Sequence, residues 1–424
     1  MKYKMQDKQN QLIERISDHH LVVGVDIAQQ FHVARAVNYR GIVIGNPITF
    51  ENDVAGFSRF QTWMNELKNL KGYRTEIVGM EPTGHYWLNL SKWLYDQSID
   101  VVTVNPHHVK RNKENRDNTQ SKSDKKDALV IADMVKNGYY SFIHPTPEAF
   151  EKLRILMSNR DFIVKRHVSA VNQINRWVDI VFPELRQVFK DVKGKGAIAT
   201  LRLFPTPGEL RSMEAQDVVK GWKTLMKRQP GLKKAQTLIQ LAKGSIGTTQ
   251  ALDAYKLHLE QLLEEFDLAT TQLETVEKET TDVLKSISVA DKILDIKGIT
   301  ETTLAGILGE AGDLGNFPHG NSLLRHGGLN LAEASSGKWK GQIVISKRGR
   351  SRLRRYLFLA TISLVVNNPE FKALHAHNVK VKKIKKMKSI MKLIGKLARI
   401  LVRIARNNEP YCPEKVQPIT LIAA

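Results

Sequence analysis

The sequence predicts an α/β domain at the N-terminal end, a long helical region after it, and a helical domain towards the C-terminus. In residues 21–146, apolar runs of strand length alternate with amphipathic stretches of helix length. From residue 147 onward, apolar residues recur in helical steps of three and four. A compact segment begins after Ser288 and leads through a Gly-rich stretch into the basic segment Ser335–Arg355. A chain of 424 residues is long enough for roughly two or three domains.

The elements of the first domain follow the order strand, strand, strand, helix, strand, helix, strand, helix. The predicted strands are Leu21–Asp26, His32–Val37, Gly41–Ile44, Thr75–Met80 and Asp100–Val104. The predicted helices are Val54–Leu67, His85–Tyr95 and Ser123–Val135, and a polar, basic loop precedes the last of them. An antiparallel triplet followed by two parallel strands with crossover helices is the layout of the ribonuclease H-like (RuvC-like) fold.

Two apolar seams predict a helical, coiled-coil region over residues 147–290. The first seam comprises Phe150, Leu153, Met157, Val164, Val171, Ile174, Val178 and Val181, and is interrupted by Arg160 and His167. The second comprises Leu252, Tyr255, Leu259, Leu262, Phe266, Ala269, Leu273, Val276, Thr280, Val283 and Ile287, in which only Thr280 is polar. Sustained steps of this kind favour a coiled coil, either a hairpin within the chain or a dimer contact, over a long helix packed on its own domain.

The charge of the chain points to a polyanionic partner. The net charge is +22 and the pI about 9.8, so nucleic acid is the first partner to consider and an anionic membrane surface the second. The longest apolar stretch, Tyr356–Val366, is shorter than the about 20 residues that span a bilayer, and the polar N-terminus has no signal-peptide core. A single cysteine, Cys412, cannot form an intramolecular disulfide, which fits a reducing cytoplasm.

Four acids are placed where the predicted fold would bring them together. Asp26 ends the first strand and Glu81 follows the fourth, and these strands are neighbours in the predicted sheet. Asp124 and Asp127, three residues apart, share one face of the helix that packs at this edge. Such a set of carboxylates in a basic protein predicts a Mg²⁺ or Mn²⁺ site. The alternative is that each acid is an ordinary surface residue or helix cap.

The sequence around these acids resembles a known family. GVDIAQQFHVA, MEPTGHYW and KSDKKDALVIADM are similar to the DEDD transposases of the insertion-sequence one-ten family, whose relatives include the Piv-type DNA invertases. The resemblance implies that Asp26, Glu81, Asp124 and Asp127 form a RuvC-like metal site.

A second candidate site lies in the segment Ser335–Arg355, which we call the serine segment. It contains eight Lys or Arg, and no acid occurs from Ala334 through Pro369. Its charge predicts a phosphate-binding surface, on which an aromatic ring could stack against a base or sugar. The candidate nucleic-acid-binding residues are Lys338, Trp339, Lys340, Lys347, Arg348, Arg350 and Arg354. The alternatives are a solvated run of charge and an ordinary turn at Ser336-Gly337.

The serine segment also resembles the C-terminal transposase domain of the same family. The matching motifs are Ser336-Gly337, Ile345-Ser346-Lys347-Arg348-Gly349 and Leu353-Arg354, and the segments ILGEAGDLGNF and LLRHGGLN upstream also match. The resemblance implies that Ser336 is the nucleophile and forms a covalent bond to DNA, although the adjacent Ser335 would take this role if the motif register shifts by one. It further implies recognition of element ends and target DNA through a noncoding bridge RNA. We also expect a homo-oligomer, either a dimer or a tetramer, with the heptad seam as the candidate contact between copies.

These patterns predict five regions. They are an N-terminal extension (1–20), a RuvC-like catalytic domain (21–146), a helical coiled-coil region (147–290), a serine-bearing transposase domain (291–376) and a basic tail (377–424). Residues 372–403, which overlap the start of the tail, carry eleven Lys or Arg and no acid. They also carry an apolar stripe at helical spacing, which favours a nucleic-acid-binding amphipathic helix over a membrane-bound one.

We therefore expect a DNA transposase or site-specific recombinase in the cytoplasm of a bacterial or archaeal cell, associated with the nucleoid. The first alternative is a RuvC-like nuclease that hydrolyses DNA junctions with water and needs the four acids but not Ser336. The second is a non-enzymatic nucleic-acid-binding protein.

Overall fold

The chain folds into two compact units, Met1–Pro145 and Thr146–Ala424. This is a computed structural model, and it describes residues 2–82, 84–116, 124–143, 146–228, 230–332, 335–336, 339–340 and 343–416. Each unit has its own hydrophobic clusters.

Unit 1 is built on one mixed six-stranded sheet. Its strands are β1 (His20–Asp26), β2 (Phe31–Val37), β3 (Val43–Glu51), β4 (Thr75–Met80), β5 (Asp100–Val104) and β6 (Tyr140–Phe142). Their spatial order is β3-β2-β1-β4-β5-β6. The first three strands are antiparallel, β4 and β5 continue parallel to β1, and β6 closes the edge antiparallel to β5. This order agrees with the predicted ribonuclease H-like layout, except that β3 begins two residues later and runs further than predicted, and β6 was not predicted.

Five helices complete unit 1: α1 (Lys2–Glu14), α2 (Val54–Lys71), α3 (Trp87–Asp96), α4 (Pro106–Arg116) and α5 (Asp124–Lys136). The prediction of a loop before α5 was wrong for residues 106–116. Asn105 caps this helix, because its Oδ1 accepts the His107 backbone N–H at 3.0 Å. Pro106 stands at the first helical position, where a proline is tolerated because that N–H has no partner within the helix.

The two faces of the sheet pack against different helices because side chains alternate along each strand. On β1, Leu21, Val23 and Val25 point into one hydrophobic cluster with residues of α2 and α3. Val22 points into a second cluster that contains residues of α4 and α5. Gly24 and Asp26 lie two and four residues after Val22, so they lie on the same face of the sheet, which α5 covers.

Unit 2 is mainly helical and is organised around a pair of long helices. These are α6 (Glu148–Val181) and α12 (Leu252–Lys285), each of 34 residues. Between them lie α7 (Leu185–Val188), α8 (Lys195–Leu203), α9 (Pro207–Leu210), α10 (Ala215–Leu225) and α11 (Leu232–Lys243). After them come α13 (Ala290–Leu294), α14 (Glu301–Ala311), α15 (Gly320–His326), the strands β7 (Leu331–Ala332), β8 (Ser335–Ser336), β9 (Trp339–Lys340) and β10 (Val344–Ile345), and finally α16 (Ser351–Asn367), α17 (Pro369–Ala376) and α18 (Lys386–Asn407).

The long helices α6 and α12 pack on each other as a hairpin within the chain. Ile163 of α6 and Ala269 and Val276 of α12 form the middle of their interface. The predicted seam is shifted in the middle of α6, where Ile163 and Ala170 are buried in place of Val164 and Val171. An α-helix has 3.6 residues per turn, so the buried face of a long helix drifts away from a strict heptad. The seam residue Thr280 is buried, and its hydroxyl donates to the Val276 carbonyl at 2.7 Å.

Unit 2 has a large hydrophobic cluster at each end of this hairpin. One joins the C-terminal part of α6 and the N-terminal part of α12 to α8, α10 and α11. The other joins the opposite ends of the long helices to α14 and α16, and it includes Leu397 and Leu401 of α18. The apolar stripe predicted in the basic tail therefore packs into the core of this unit from Met391 onward, whereas Met387 is exposed. Among the residues that the structure describes, no helix combines the length and apolar character needed to cross a membrane.

Candidate functional site

The first candidate site is the edge of the unit 1 sheet where β1 and β4 end, which we call the acidic edge. The two strands are parallel, and their last paired residues are Val25 and Met80. Asp26 and Glu81 come next on their respective chains, so they occupy adjacent positions at this edge. Both side chains are half-buried. The structure thus brings together the two acids that the sequence placed on neighbouring strands.

Helix α5 lies directly on β1 next to this edge. A Cβ atom on Gly24 would lie 2.1 Å from the Ala128 carbonyl oxygen and 2.4 Å from the Ala132 nitrogen, so only glycine permits the helix to approach this closely. Asp127 immediately precedes Ala128, and Asp26 follows Gly24 by two residues on the same face of the sheet. The packing at Gly24 therefore holds the helix that carries Asp127 over the strand that carries Asp26.

The four predicted metal ligands differ in environment. Asp127 is buried, with 6% of its surface exposed, whereas Asp124 is exposed at the first position of α5. Carboxylates are the ligand type that Mg²⁺ and Mn²⁺ prefer, so the residues at this edge fit a hard divalent cation. In the described part of the chain, however, no three Asp, Glu, His or Cys side chains are grouped closely enough to hold a metal ion. The metal site accordingly remains a prediction.

A buried histidine next to the acidic edge was not predicted from the sequence. His32 at the start of β2 is fully buried, and its Nδ1 accepts the Ala28 backbone N–H at 3.3 Å. This bond fixes the loop that directly follows Asp26. Asn52 donates from Nδ2 to the Gln29 carbonyl of the same loop at 3.1 Å. Burial lowers the pKa of His32, so the neutral ring needed for the Ala28 bond is the favoured form. The sequence feature that could have indicated this buried histidine is its position in a strand whose other residues are mostly apolar.

The second candidate site is the serine segment of unit 2. Ser336 lies in β8, which pairs antiparallel with β9 so that Ser336 is opposite Trp339 and Ser335 is opposite Lys340. The base of this region is the antiparallel pair β7 and β10. The intervening Lys338 lies outside the described residues, and only the backbone is described for the four residues of β8 and β9. The predicted roles of Ser336, Lys338, Trp339 and Lys340 are therefore not tested.

The turn that follows β10 is fixed by backbone contacts. Ser346 donates from its N–H to the Asn330 carbonyl at 2.8 Å and from its hydroxyl to the Asn330 side chain at 2.7 Å. A Cβ atom on Gly349 would lie 2.5 Å from both the Gly328 nitrogen and the His326 oxygen, and the φ of Gly349 is 153°. The Ile-Ser-Lys-Arg-Gly motif thus packs backbone to backbone against residues 326–330.

The predicted phosphate ligands beyond β10 fall into two groups. Arg350 donates to the Glu310 carbonyl at 2.9 Å, and Arg354 donates to the Gly327 carbonyl at 2.7 Å. Lys347 and Arg348 are exposed on the turn, and neither forms an ion pair with any part of the chain that the structure describes. Lys347 and Arg348 are consequently the better placed of the four to bind phosphate, since Arg350 and Arg354 already hold the backbone.

A buried ionic network below the serine segment was also not predicted. Arg352 of α16 lies 3.1 Å from an Asp161 oxygen of α6 and 3.4 Å from a Glu310 oxygen of α14. Tyr356 donates its hydroxyl to Asp161 at 3.0 Å, and burial followed by the Asp161 charge raises the pKa of this tyrosine. Both carboxylates are largely buried, so they need these partners. The network joins α6, α14 and α16 next to the serine segment. Its two acids are far apart in the sequence, so no local sequence pattern could reveal it.

Comparison with known families decides the identity of the chain. A family model for the DEDD transposase of IS110 matches residues 23–183, and a model for the transposase of the IS116/IS110/IS902 family matches residues 290–376. The chain is an IS110-family transposase. It is also similar to the mini-circle putative transposase for IS117 of Streptomyces coelicolor, with 22% identity over 329 residues, which are 74% of this chain and 77% of the relative.

Family membership makes this transposase an enzyme that acts on DNA, as the sequence predicted. The first match contains Asp26, Glu81, Asp124 and Asp127, and the second contains the whole serine segment. Residues 184–289, which include all of α12, and the helix α18 lie outside both matches.

Proposed function

We propose that the transposase breaks and rejoins DNA with a divalent-metal site made of Asp26, Glu81, Asp124 and Asp127. The observation that supports this most strongly is the packing of α5 on Gly24, which holds the helix that carries Asp127 against the strand that carries Asp26. When bound, Mg²⁺ or Mn²⁺ supplies positive charge that compensates the acids and polarises a phosphodiester. The buried Asp127 would bind the cation from the side of the protein core, and the exposed Asp124 would bind it from the side of the solvent and the DNA.

In this proposal, Ser336 is the nucleophile. Its Oγ attacks the phosphorus of one DNA strand and gives up its proton to a base or to solvent. The bond from phosphorus to the departing sugar oxygen breaks, and that oxygen takes up a proton. Attack by the hydroxyl of a second DNA end then breaks the serine ester and restores the Ser336 hydroxyl, so strand exchange needs no external energy source.

Lys347 and Arg348 would bind phosphates that flank the cleaved bond. Their side chains are exposed at a turn whose backbone is held by Asn330 and Gly349. Charge-assisted contacts to phosphate oxygens from a fixed backbone position the DNA without reading its sequence.

Sequence choice, in this proposal, comes from a noncoding bridge RNA, and the enzyme acts as a homo-oligomer. The first expectation is supported by the family resemblance, and the net charge of +22 is compatible with an RNA partner as well as a DNA partner. Sequencing of RNA that co-purifies with the transposase expressed from its own locus would test the first expectation. Recovery of no enriched transcript from the element would contradict it.

The competing function is a RuvC-like nuclease that uses water instead of a serine. The same four acids would serve this reaction, because a metal site can activate water as well as a serine hydroxyl. The two functions differ in what Ser336 contributes, so a substitution there separates them.

The experiment is strand exchange on DNA that flanks the element, measured for Ser336→Ala and Ser335→Ala. Ser336→Ala should abolish strand exchange and the covalent protein–DNA adduct, while DNA affinity changes by no more than about 1 kcal/mol because one hydroxyl contact is lost. Ser335→Ala is the matched control and should retain activity. Mass spectrometry of the trapped and digested complex should place the nucleotide on Ser336.

Wild-type activity of Ser336→Ala would refute the serine mechanism and favour the nuclease. Loss of activity in Ser335→Ala alone would move the nucleophile by one residue.

A further inference from the structure

The segment between α17 and the first turns of α18 presents an unusual concentration of charge, and we call Lys380–Lys392 the lysine turn. Seven exposed lysines lie within it: Lys380, Lys382, Lys383, Lys385, Lys386, Lys388 and Lys392. The nearest acids along the chain are Glu370 and Glu409. Within the described residues, none of the seven forms an ion pair, whereas lysines elsewhere in the molecule, such as Lys68 and Lys256, pair with glutamates.

The backbone of the lysine turn is held in a fixed, irregular shape. Residues His377–Val381 form a π-helical turn, and Lys383 adopts a left-handed conformation with φ of 53°. Irregular turns of this kind cost free energy and are common at functional positions. The chain crosses back on itself here, because the Ile384 N–H donates to the Asn378 carbonyl at 2.9 Å.

A buried polar cluster beneath the lysine turn maintains this shape. Ser389 is fully buried, and its Oγ accepts a hydrogen bond from Asn378 Nδ2 at 3.1 Å and contacts His375 Nδ1 at 3.0 Å. Asn378 is itself buried. Polar groups this deep need hydrogen-bond partners, and these three residues satisfy one another. The lysines are therefore presented by a preorganised scaffold anchored in the unit 2 core.

The chemistry of the segment indicates which polyanion it fits. Lysine is a point charge suited to phosphate, and no Phe, Tyr or Trp occurs in residues 372–410 to stack on unpaired bases. Recognition of single-stranded nucleic acid usually relies on such stacking, whereas duplex DNA offers a dense array of phosphates to contact. The substrate of a transposase is DNA, so duplex DNA is the partner that this surface fits best.

We propose that the lysine turn binds the phosphate backbone of duplex DNA, as a contact separate from the serine segment. It lies beyond residue 376, where the family match ends. Contacts of this kind add affinity that is the same for every DNA sequence and is lost steeply as salt rises.

The test compares the full-length enzyme with the variant K382Q/K383Q/K385Q/K386Q in binding to a fluorescent duplex, measured over a series of salt concentrations with EDTA present. If about four phosphate contacts are lost, the slope of log affinity against log salt should become less negative by about 3 to 4. The loss should be equal for duplexes of unrelated sequence. Because no cleavage is measured, the result does not depend on Ser336 or on the acidic edge.

The matched control is K190Q/K193Q/K223Q/K227Q, which removes the same charge from exposed lysines elsewhere in unit 2. This variant should keep the wild-type slope. Equal losses in both variants would show that net charge alone acts, and no loss in the first variant would show that the lysine turn is not a contact. A loss confined to a folded RNA probe would also overturn the proposal.

A second measurement uses the unmodified wild-type enzyme, so it does not depend on the folding of any variant. Acetylation of lysines with and without duplex DNA, followed by mass spectrometry, should show protection of Lys382–Lys388. Equal labelling of these lysines in the two samples would contradict the proposal.

Discussion

In unit 1 the acids stand at the ends of neighbouring strands and on a helix packed over them. In unit 2 the serine lies in a two-residue strand that precedes a turn held by backbone hydrogen bonds. Regular secondary structure positions the acidic edge, and its polar side chains project from that framework. The serine segment depends on glycines, on side chain to backbone bonds and on a buried ionic network.

This difference predicts that substitutions in the two regions act differently. An acid at the edge can be replaced by its amide, which keeps the size and shape of the side chain and removes its charge. In the serine segment, Arg350, Arg352 and Arg354 each hold other parts of unit 2, so removing their charge also weakens the fold. Basic residues of one motif therefore cannot be treated as equivalent.

The largest expected effect comes from placing charge in the hairpin on which unit 2 is built. Leu262 is buried and Phe266 packs against the same cluster, so replacing both with Asp should cost roughly 3–5 kcal/mol or more. Hydrogen exchange should show lost protection in α8, α11 and α12, while β1 and β4 of unit 1 keep theirs. An equal loss of protection in both units would contradict the inference that each unit is stabilised by its own core.

The outer face of the same hairpin provides the control. Ile155 and Phe162 of α6 are 61% and 60% exposed, so replacing them with Asp should change stability by no more than about 0.5 kcal/mol each. A fall in mass by light scattering with unchanged stability would identify this outer face, and not the buried seam, as a contact between copies of the chain.

The next effect tests the packing that creates the acidic edge. Gly24→Ala places a methyl group 2.1 Å from the Ala128 carbonyl oxygen, which forces α5 away from β1 and should lower the free energy of unfolding by about 3 kcal/mol or more, since the clash is with backbone. Gly72→Ala is the control, since φ is 74° there and no atom lies within 4 Å of the added Cβ, so only about 1 kcal/mol of backbone strain is expected. Denaturant unfolding monitored by exchange of the β1 amides would compare them, and similar losses in both would contradict the close-approach argument.

These positions also show how far the sequence could predict the structure. The order of the first five strands, the helix with Asp124 and Asp127 and the proximity of Asp26 to Glu81 follow from hydrophobic periodicity and parallel-sheet topology. We predicted a loop in place of helix α4 because Asn105-Pro106 is both a turn signal and a helix start. We did not predict β6 because a strand of three residues gives too short a pattern to recognise.

What the sequence could not predict depends on contacts between distant residues. The pairing of Asp161 and Glu310 with Arg352, the loop contacts of His32 and Asn52, and the packing of α18 into the unit 2 core all join parts of the chain that no local pattern relates. The apolar stripe of α18 was visible in the sequence, but its partner was not.

A smaller effect should separate two kinds of basic residue in the serine segment. Lys347→Gln with Arg348→Gln should weaken duplex binding and make the salt slope less negative by about 2, while stability stays within about 0.5 kcal/mol of wild type. Arg350→Gln with Arg354→Gln should lower stability, because the Glu310 and Gly327 carbonyls lose their donors. Fluorescence anisotropy would measure duplex binding by both double variants, and thermal unfolding would measure their stability. A loss of stability in the Lys347 and Arg348 variant, with only DNA binding affected in the Arg350 and Arg354 variant, would contradict this division.

The smallest effect is on the pH dependence of stability. Burial lowers the pKa of His32 in unit 1, and burial followed by the charge of Arg350 lowers that of His326 in unit 2. The unfolded chain therefore binds more protons below about pH 6.5, so stability is complete above that pH and falls as the pH drops. His32→Gln and His326→Gln should each flatten this fall, by at most about 1.4 kcal/mol per pH unit. Unfolding curves between pH 5 and pH 8 with unchanged slopes in both variants would contradict these directions.

Whether the acidic edge is a divalent-metal site is measured by Mn²⁺ binding to the full-length protein. Electron paramagnetic resonance should detect tight binding by the wild type, and Asp26→Asn or Asp127→Asn should weaken it at least about tenfold, which is about 1.4 kcal/mol. Asp96→Asn is the control, because Asp96 is an exposed acid of α3 that pairs with Lys92. We expect this control to bind Mn²⁺ like the wild type. Equal Mn²⁺ affinity in Asp26→Asn, Asp127→Asn and Asp96→Asn would contradict it.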